Sequence, residues 1–277
     1  SSAASDVYKR QMHMLGAIIG DIAGSRFEFN NIHTKDFEFF HPDCQITDDS
    51  AMTIALMAAI LEGDMQNEMS FKKTVIDCYK RFWTLYPQGG YGLGFSEWLE
   101  SDNPQPYHSY GNGACMRISP AAVLDEGVRE RVAKWATEVS HNHPISLAWV
   151  NLFVTAVSMV KDMPADDGKQ YLRNMLQYTL SDEHSAEFYV NGIAKVHPGV
   201  FDETVQGTVP IAIKAVLEAE DFEDTVRTAI SYGGDSDTIA AIAGAIAESV
   251  FGIPQSIKRA CLRYIPVTMV STAVSYT

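Results

Sequence analysis

Two short stretches of this chain place side chains together that could do chemistry. "TDDS" begins at Thr47, and "GGDSDT" ends at Thr238. Each sets a threonine and two aspartates at the head of a run of small apolar residues. These are Thr47, Asp48 and Asp49 in the first, and Asp235, Asp237 and Thr238 in the second. Either pair alone has a plain explanation. An aspartate at a helix N-terminus accepts hydrogen bonds from free backbone N–H groups and meets the positive end of the helix dipole. The pattern, however, occurs twice, about 190 residues apart. If both helices pack in one core, their mouths meet and four carboxylates share one small volume. Unneutralised, they repel strongly in a poorly solvated site. Protonation would relieve this, but two divalent cations match the four negative charges better. Carboxylates and threonine hydroxyls are hard oxygen ligands, which favour Mg²⁺ or Mn²⁺ over zinc. Such a pair of ions orients substrate hydroxyls and activates a water.

The elements that must hold these groups read as helices. "LGAIIGDIAGS" repeats glycine at Gly16, Gly20 and Gly24, lining one helix face with hydrogens so that a second helix can approach closely. "SAMTIALMAAILEG" is apolar nearly all round and ends at Gly63, a plausible C-cap. "FKKTVIDCYKRFWTLY", "VRERVAKWATEVS", "SLAWVNLFVTAVSMVKD", "DGKQYLRNMLQYTL", "TVQGTVPIAIKAVLEA" and "DFEDTVRTAISYGG" continue at helical spacing. Only "KDFEFF", around Phe37, hints at extended structure. Strands do not alternate with helices, so a doubly wound sheet is not expected. Short Gly, Pro and Asn clusters separate the helices, and no long linker divides the chain. The expectation is one all-α domain, a compact helical bundle, over residues 14–277. The opening "SSAASDVYKRQMHM" is polar, has no period and lacks the apolar stretch of a secretory signal. Residues 1–13 are therefore set aside as an extraneous or disordered tail.

The formal net charge of −14 argues against a nucleic-acid partner, because phosphate backbones need clustered lysine and arginine. No run of about 18 apolar residues is free of charge, so no membrane-spanning helix and no membrane partner are expected. The four cysteines, Cys44, Cys78, Cys115 and Cys261, are scattered, with no CxxC pair. That spacing speaks against a zinc knuckle or a disulfide framework and for a reduced, cytoplasmic setting.

The motifs, taken in order, resemble the ADP-ribosylglycohydrolase family, of the dinitrogenase-reductase-activating type. "GAIIGDIAGSRFEF", "TDDSAMTIAL", "SYGNGACMRISP", "SHNHP" and "YGGDSDTIAAIAGAIA" follow the family's sequence of motifs from Leu15 to about Pro254. The resemblance implies a compact all-α fold with a dinuclear Mg²⁺ or Mn²⁺ centre. It also implies hydrolysis of the bond between ADP-ribose and a modified acceptor, an ADP-ribosylated protein or other ADP-ribose conjugate. Carried over by position, the metal ligands are Thr47, Asp48, Asp49, Asp235, Asp237 and Thr238. Ser50 and Ser140 stand where the family usually has threonine.

Further roles follow from the same resemblance. Glu28, with Asp48 and Asp237, is the expected catalytic set, Glu28 positioning a water or relaying a proton; its alternative is a solvated loop residue. Gly111, Asn112 and Gly113 belong to the loop that holds the diphosphate and ribose, and His141 to the substrate wall, with His143 as its competitor. Asp21 is expected near the metals as a supporting carboxylate. Arg117 pairs with either a carboxylate or a phosphate. Tyr91 and Phe95 either stack on adenine or simply pack. The acceptor is expected at a rim formed by Phe27, Phe29, Asp36 and Glu38, an acidic and aromatic surface suited to ADP-ribosyl-arginine. A serine-linked or small-molecule conjugate, or a non-catalytic ADP-ribose-binding or structural role, is the alternative.

Overall fold

The structure, a computed structural model, describes residues 15–181 and 199–276. The segment set aside as a tail, residues 1–13, lies outside the described residues. Among these, thirteen α-helices are present and no strand. In chain order they are α1 Leu15–Gly24, α2 Asp48–Glu62, α3 Glu68–Leu85, α4 Leu93–Glu100, the single turn α5 Gly113–Met116, α6 Val128–Glu138, α7 Pro144–Val160, α8 Ala165–Ser181, α9 Val205–Glu218, α10 Phe222–Ser231, α11 Ser236–Phe251, α12 Gln255–Cys261 and α13 Val267–Tyr276. A 3₁₀ turn, Ser119–Val123, joins α5 to α6.

The centre of the molecule is the pair α1 and α11, which pack on each other more extensively than any other two helices. Small residues make this possible. A Cβ at Gly16 would fall inside the Gly244 carbonyl, and one at Gly20 inside that of Ala240. A Cβ at Gly24 would lie 2.6 Å from the Asp237 Cα. The order Gly16–Gly244, Gly20–Ala240, Gly24–Asp237 makes the two helices antiparallel. It also sets the end of α1 directly against the aspartate-bearing start of α11. At the other end, the buried Glu248 of α11 accepts the Gly16 N–H at 2.7 Å, supplying α1 with an anionic cap that its own first turn lacks. Every residue of α1 is buried, as is α2 from Asp49 to Ile60.

Amphipathic helices wrap this centre. Helix α3 starts on Asn67, whose side chain accepts the Ser70 N–H, and it buries Phe71, Val75, Cys78, Tyr79 and Phe82 along one stripe. All four cysteines are free and buried. The stretch "KDFEFF" is not a strand: its residues form bends and turns. Arg227, from α10, satisfies this backbone in place of a partner strand, donating to the carbonyls of Lys35 and Phe37 at 3.0 and 2.7 Å. Its guanidinium also lies over the rings of Phe37 and Phe39. Among the described residues, no helix is long and apolar enough to cross a membrane.

Candidate active site

The mouths of α2 and α11 meet. Thr238 of α11 donates its hydroxyl to Asp49 of α2 at 3.0 Å, bridging the two motifs directly. The aspartates are not spent on capping. At α2 the cap is Thr47, whose Oγ1 accepts the Asp49 N–H at 3.2 Å. Asp21, reaching over from α1, accepts from Thr47 N and Thr47 Oγ1 and from Ser50 N at 2.8 to 3.1 Å. At α11 the N-cap residue is Asp235, but its side chain makes no cap bond. Its Oδ2 instead accepts from Asn112 Nδ2 at 2.6 Å.

Two trios of carboxylates follow from this arrangement: Asp21, Asp49 and Asp237, and Glu28, Asp235 and Asp237. Within each trio one oxygen per residue lies within 4.8 Å of the others, and Asp237 belongs to both. Asp49 Oδ1 is buried with no hydrogen-bond partner. A buried, unpartnered carboxylate oxygen is costly unless something positive meets it. The donor set is all hard oxygen, which fits Mg²⁺ or Mn²⁺. Asp48 lines the same cavity, half-buried, but belongs to neither trio.

Burial dominates the electrostatics. It pushes the Asp21 carboxyl up to about 6, against hydrogen bonds from Ser50 and Thr47 that pull it down. It pushes Glu28 up to about 7, and the negative charges of Asp235, Asp21 and Glu203 add to the rise. Asp48, Asp49 and Asp237 lie well above the ordinary carboxylate range, first through burial and then through the neighbouring carboxylates. Asp235 is raised by burial too, offset by its bond from Asn112. The cluster accumulates more negative charge than its surroundings neutralise, which is the condition that a divalent cation relieves.

The turn into α11 owes its shape to two left-handed glycines, Gly233 (φ 72°) and Gly234 (φ 79°). Asn31 clasps this turn, accepting the Gly234 N–H at 2.8 Å and donating to the Gly234 carbonyl at 2.9 Å. The same amide donates to the carbonyls of Phe27 and Glu28 at 2.7 and 3.1 Å. One asparagine thus ties the loop carrying Glu28 to the turn carrying Asp235.

Above the carboxylates lies a cavity lined by both acidic motifs, Glu28, the glycines at 90, 92 and 94, the 109–113 loop, His141 and Glu203. The loop is close-packed on its neighbours. A Cβ at Gly113 would press on His141 Nε2 at 3.3 Å, and one at Gly111 on Ser109 Oγ at 3.3 Å. Two loop amides are already taken: Gly111 N donates to Ser109 Oγ, and Asn112 N donates to the Glu203 carbonyl. That second bond, 2.6 Å long, holds the loop to the segment before α9. The helix that follows, α5, is a single turn and adds little dipole. The loop therefore faces the cavity with two of its amides already engaged and no long helix dipole behind it. Asn112 acts from beneath, its amide shared between Asp235 and Thr208 Oγ1.

The family model for ADP-ribosylglycohydrolase matches residues 8–270. The chain belongs to the ADP-ribosylglycohydrolase family. It is 24% identical to mouse ADP-ribosylhydrolase ARH3, over 94% of this chain and 89% of that protein. The human ARH3 is 25% identical, over 91% and 88%. The ADP-ribosyl-[dinitrogen reductase] glycohydrolase of Rhodospirillum rubrum is 24% identical, over 86% and 84%. A solved "ADP-ribosylglycohydrolase-related protein complex" superposes with a TM-score of 0.68 at 20% identity, covering 96% of both chains, a likeness of fold. The family supports hydrolase activity on ADP-ribosylated substrates, and the acidic trios are groups that could hold its metal.

The structure brings Glu28, Asp48, Asp49, Asp235, Asp237 and Thr238 of this family member to one cavity, together with Gly111, Asn112, Gly113 and His141. Thr47 stands behind them, bonded to Asp21. His143 is the N-cap of α7, its Nδ1 accepting the Ile145 N–H. Arg117, which also lines the cavity, pairs with no carboxylate among the described residues: its guanidinium lies over the rings of Tyr79 and Phe95 and donates to Ser140. Tyr91 packs by donating its hydroxyl to the Tyr86 carbonyl, and Phe95 stacks on Trp98.

The expected rim is only partly there. Phe27 is buried edge-on against Phe37, and Asp36 and Glu38 do not line the cavity. Phe29 is exposed and stacks on Phe201. The acidic residue at this edge is Glu203, which the sequence reading missed, as it missed Asn31 and Ser109. Glu203 and Asn31 reach parts of the chain about 90 and 200 residues away, Ser109 Oγ bonds within its own loop, and none of these contacts follows a period.

Proposed function

We propose that this protein is a metal-dependent hydrolase that removes ADP-ribose from a modified acceptor, with arginine as the linked residue. The observation that carries this reading is the pair of carboxylate trios sharing Asp237, with Asp49 Oδ1 buried and unpartnered among them. Asp21, Asp49, Asp235, Asp237 and Thr238 would hold two divalent ions, Mg²⁺ or Mn²⁺, with Asp48 and Thr47 beside them. Bound there, such ions orient hydroxyls and polarise a water.

The remaining work falls to the chain's own groups. Glu28 stands half-buried at the edge of the carboxylates, held up to about 7 by burial and by its neighbours' charges. A carboxyl at that edge can take a proton from water and give one to the departing acceptor, which suits the attack of water on the anomeric carbon. His141 and the 109–113 loop shape the wall against which the rest of ADP-ribose lies. Water adds to the anomeric carbon, the glycosidic bond breaks, and the acceptor leaves with a proton.

The preference for arginine rests on the cavity edge. Glu28 and Glu203 both face it, and Phe29 and Phe201 present exposed rings beside it. A guanidinium is drawn to carboxylates and ring faces. The test is release of ADP-ribose, with Mg²⁺ or Mn²⁺, from matched peptides carrying it on arginine or on serine. Faster release from the arginine peptide is expected. Cleavage of the serine peptide alone overturns the acceptor assignment, and cleavage of neither overturns the hydrolase reading.

A further inference from the structure

Resting on that reading, we infer that Arg117 is a positioning residue that fixes His141 as the tautomer with its proton on Nε2, so that His141 presents a hydrogen-bond donor to an oxygen of bound ADP-ribose. The two nitrogens of His141 meet opposite surroundings. Nδ1 faces inward, 2.8 Å from Ser140 Oγ and 3.1 Å from Arg117 Nη2. Nε2 is the ring atom nearest the positions where a Cβ would stand on Gly111 and Gly113, both of which line the cavity.

The tautomer follows from what Arg117 lacks. A guanidinium has five N–H donors and no acceptor. A hydrogen on Nδ1 would face the Nη2 hydrogens, and its one acceptor would be Ser140 Oγ, which already accepts from Nη2. A lone pair on Nδ1 receives the Nη2 hydrogen instead. Ser140 reinforces this, because its hydroxyl already accepts from Arg117 Nη2 at 2.6 Å and can turn its own hydrogen toward Nδ1. The one ring proton of the neutral imidazole is left for Nε2. The arginine is itself immobile: it is fully buried, with its guanidinium 4.8 Å from the Tyr79 ring centre and 4.7 Å from that of Phe95.

His141 is also kept from charging. Burial pushes its imidazole well below the ordinary range, and the positive Arg117 adds to that push. The aromatic rings against it, Tyr107 and Phe95, bring no charge, and the carboxylates of the cavity, Glu28, Asp48, Asp235 and Glu203 among them, are not among the groups that set its state. A neutral donor is useful here. It grips a phosphate or ribose oxygen and, unlike an ordinary histidine, holds the same state across neutral pH. The opposite tautomer would turn a lone pair toward that oxygen.

The experiment is long-range ¹H–¹⁵N spectroscopy of the histidine rings, with His141 assigned by loss of its signals in His141→Gln. In the wild-type protein the Nε2–H pattern is expected, unchanged between about pH 5.5 and 8, the range in which an unperturbed histidine titrates. An Nδ1–H or imidazolium pattern overturns the inference without need of a variant at Arg117. Arg117→Met, which removes the donors, should admit the second tautomer and weaken binding of free ADP-ribose about tenfold, the worth of one hydrogen bond to a charged oxygen. Ser140→Ala, which keeps Arg117, should retain the tautomer. If Arg117→Met folds and changes neither spectrum nor affinity, Arg117 does not position His141. Should the wild-type protein bind no ADP-ribose, the proposed function falls while the tautomer result still stands on its own.

Discussion

Asn31 and Gly234 exchange a pair of hydrogen bonds across 203 residues of sequence, Gly234 N–H to Asn31 Oδ1 and Asn31 Nδ2–H to the Gly234 carbonyl. Through them a loop after α1 and a turn before α11 become one unit, and Glu28 and Asp235 keep a fixed relation. Asn31→Ala removes both bonds and the two that Asn31 makes to its own loop. A turnover loss of about tenfold or more is expected, since small misplacement of reacting groups is costly. The melting temperature should fall with it, because at roughly 1 kcal/mol each these bonds are a fair part of a domain's stability. Steady-state kinetics with a thermal melt checks both. Undiminished turnover would mean that Glu28 and Asp235 need no such tether.

Gly20→Ala tests the glycine stripe. The added methyl would occupy the space of the Ala240 carbonyl, which is backbone and cannot swing away. The helices must separate, at a cost of roughly 1–3 kcal/mol for overpacking. Asp21 on α1 and Asp237 on α11 move apart with them, so metal affinity should fall together with the melting temperature. Calorimetric titration with Mn²⁺ reads the first effect and a thermal scan the second. A variant as stable and as tight-binding as the wild type would show that the approach of the two helices is not critical.

These two cases mark what can be read from the chain alone. The stripe of Gly16, Gly20 and Gly24 is legible because the absence of side chains at helical spacing has one mechanical meaning. The acidic motifs are legible because like charges at two helix mouths demand a common explanation. Asn31 gives no such signal. Its role rests on four contacts made by a single amide, with no repeat to betray it. "KDFEFF" misleads because its aromatic residues suit a strand, while the group that satisfies its backbone, Arg227, is about 190 residues away. Asp36 and Glu38 mislead for a simpler reason: nearness to Glu28 in sequence is not nearness in the cavity, where Glu203 stands instead.

Stability without metal should depend on pH in an unusual sense. Acids paired with cations in a native protein usually have lowered values and gain stability as pH rises. Here burial holds Asp21 up to about 6 and Glu28 up to about 7, above their ordinary 3.8 and 4.5. Between the ordinary and raised values the folded protein binds more protons than the unfolded chain. Stability contributed by these groups is therefore present at low pH and lost as pH rises through about 4 to 7. Divalent ions oppose the loss. The gain in melting temperature on adding Mn²⁺ should thus be small near pH 4.5 and large near pH 7.5. A gain independent of pH would show that the ions bind elsewhere.

Glu28→Gln separates proton handling from substrate holding. Glutamine keeps the size and loses the proton equilibrium, so turnover should fall by about a hundredfold, within the usual range for a general acid or base. Affinity for free ADP-ribose should change little. Isothermal titration beside kinetics gives both numbers. An unchanged rate would return Glu28 to the role of a loop residue that merely borders the carboxylates.

Asp237 and Asp48 make the decisive comparison, since the sequence motif treats them alike and the structure does not. Asp237 is the carboxylate common to both trios, whereas Asp48 lines the cavity outside them. Asp237→Asn keeps shape and an acceptor for the Thr238 N–H, which now bonds to Asp237 Oδ1 at 3.0 Å. It removes one negative charge from a buried cluster. The metal-free variant should therefore be as stable as the wild type at neutral pH, or more so, because a buried like-charge repulsion is gone. It should also gain almost nothing in melting temperature from Mn²⁺, and turnover should drop below about a hundredth, more than the loss typical of residues that only support metal ligands. Asp48→Asn should keep most of the metal-induced gain and lose less activity. Thermal scans with and without Mn²⁺, run on both variants alongside their turnover, decide the matter. If Asp48→Asn loses the metal response and Asp237→Asn retains it, the ions are held by a different set of carboxylates from the one these trios define.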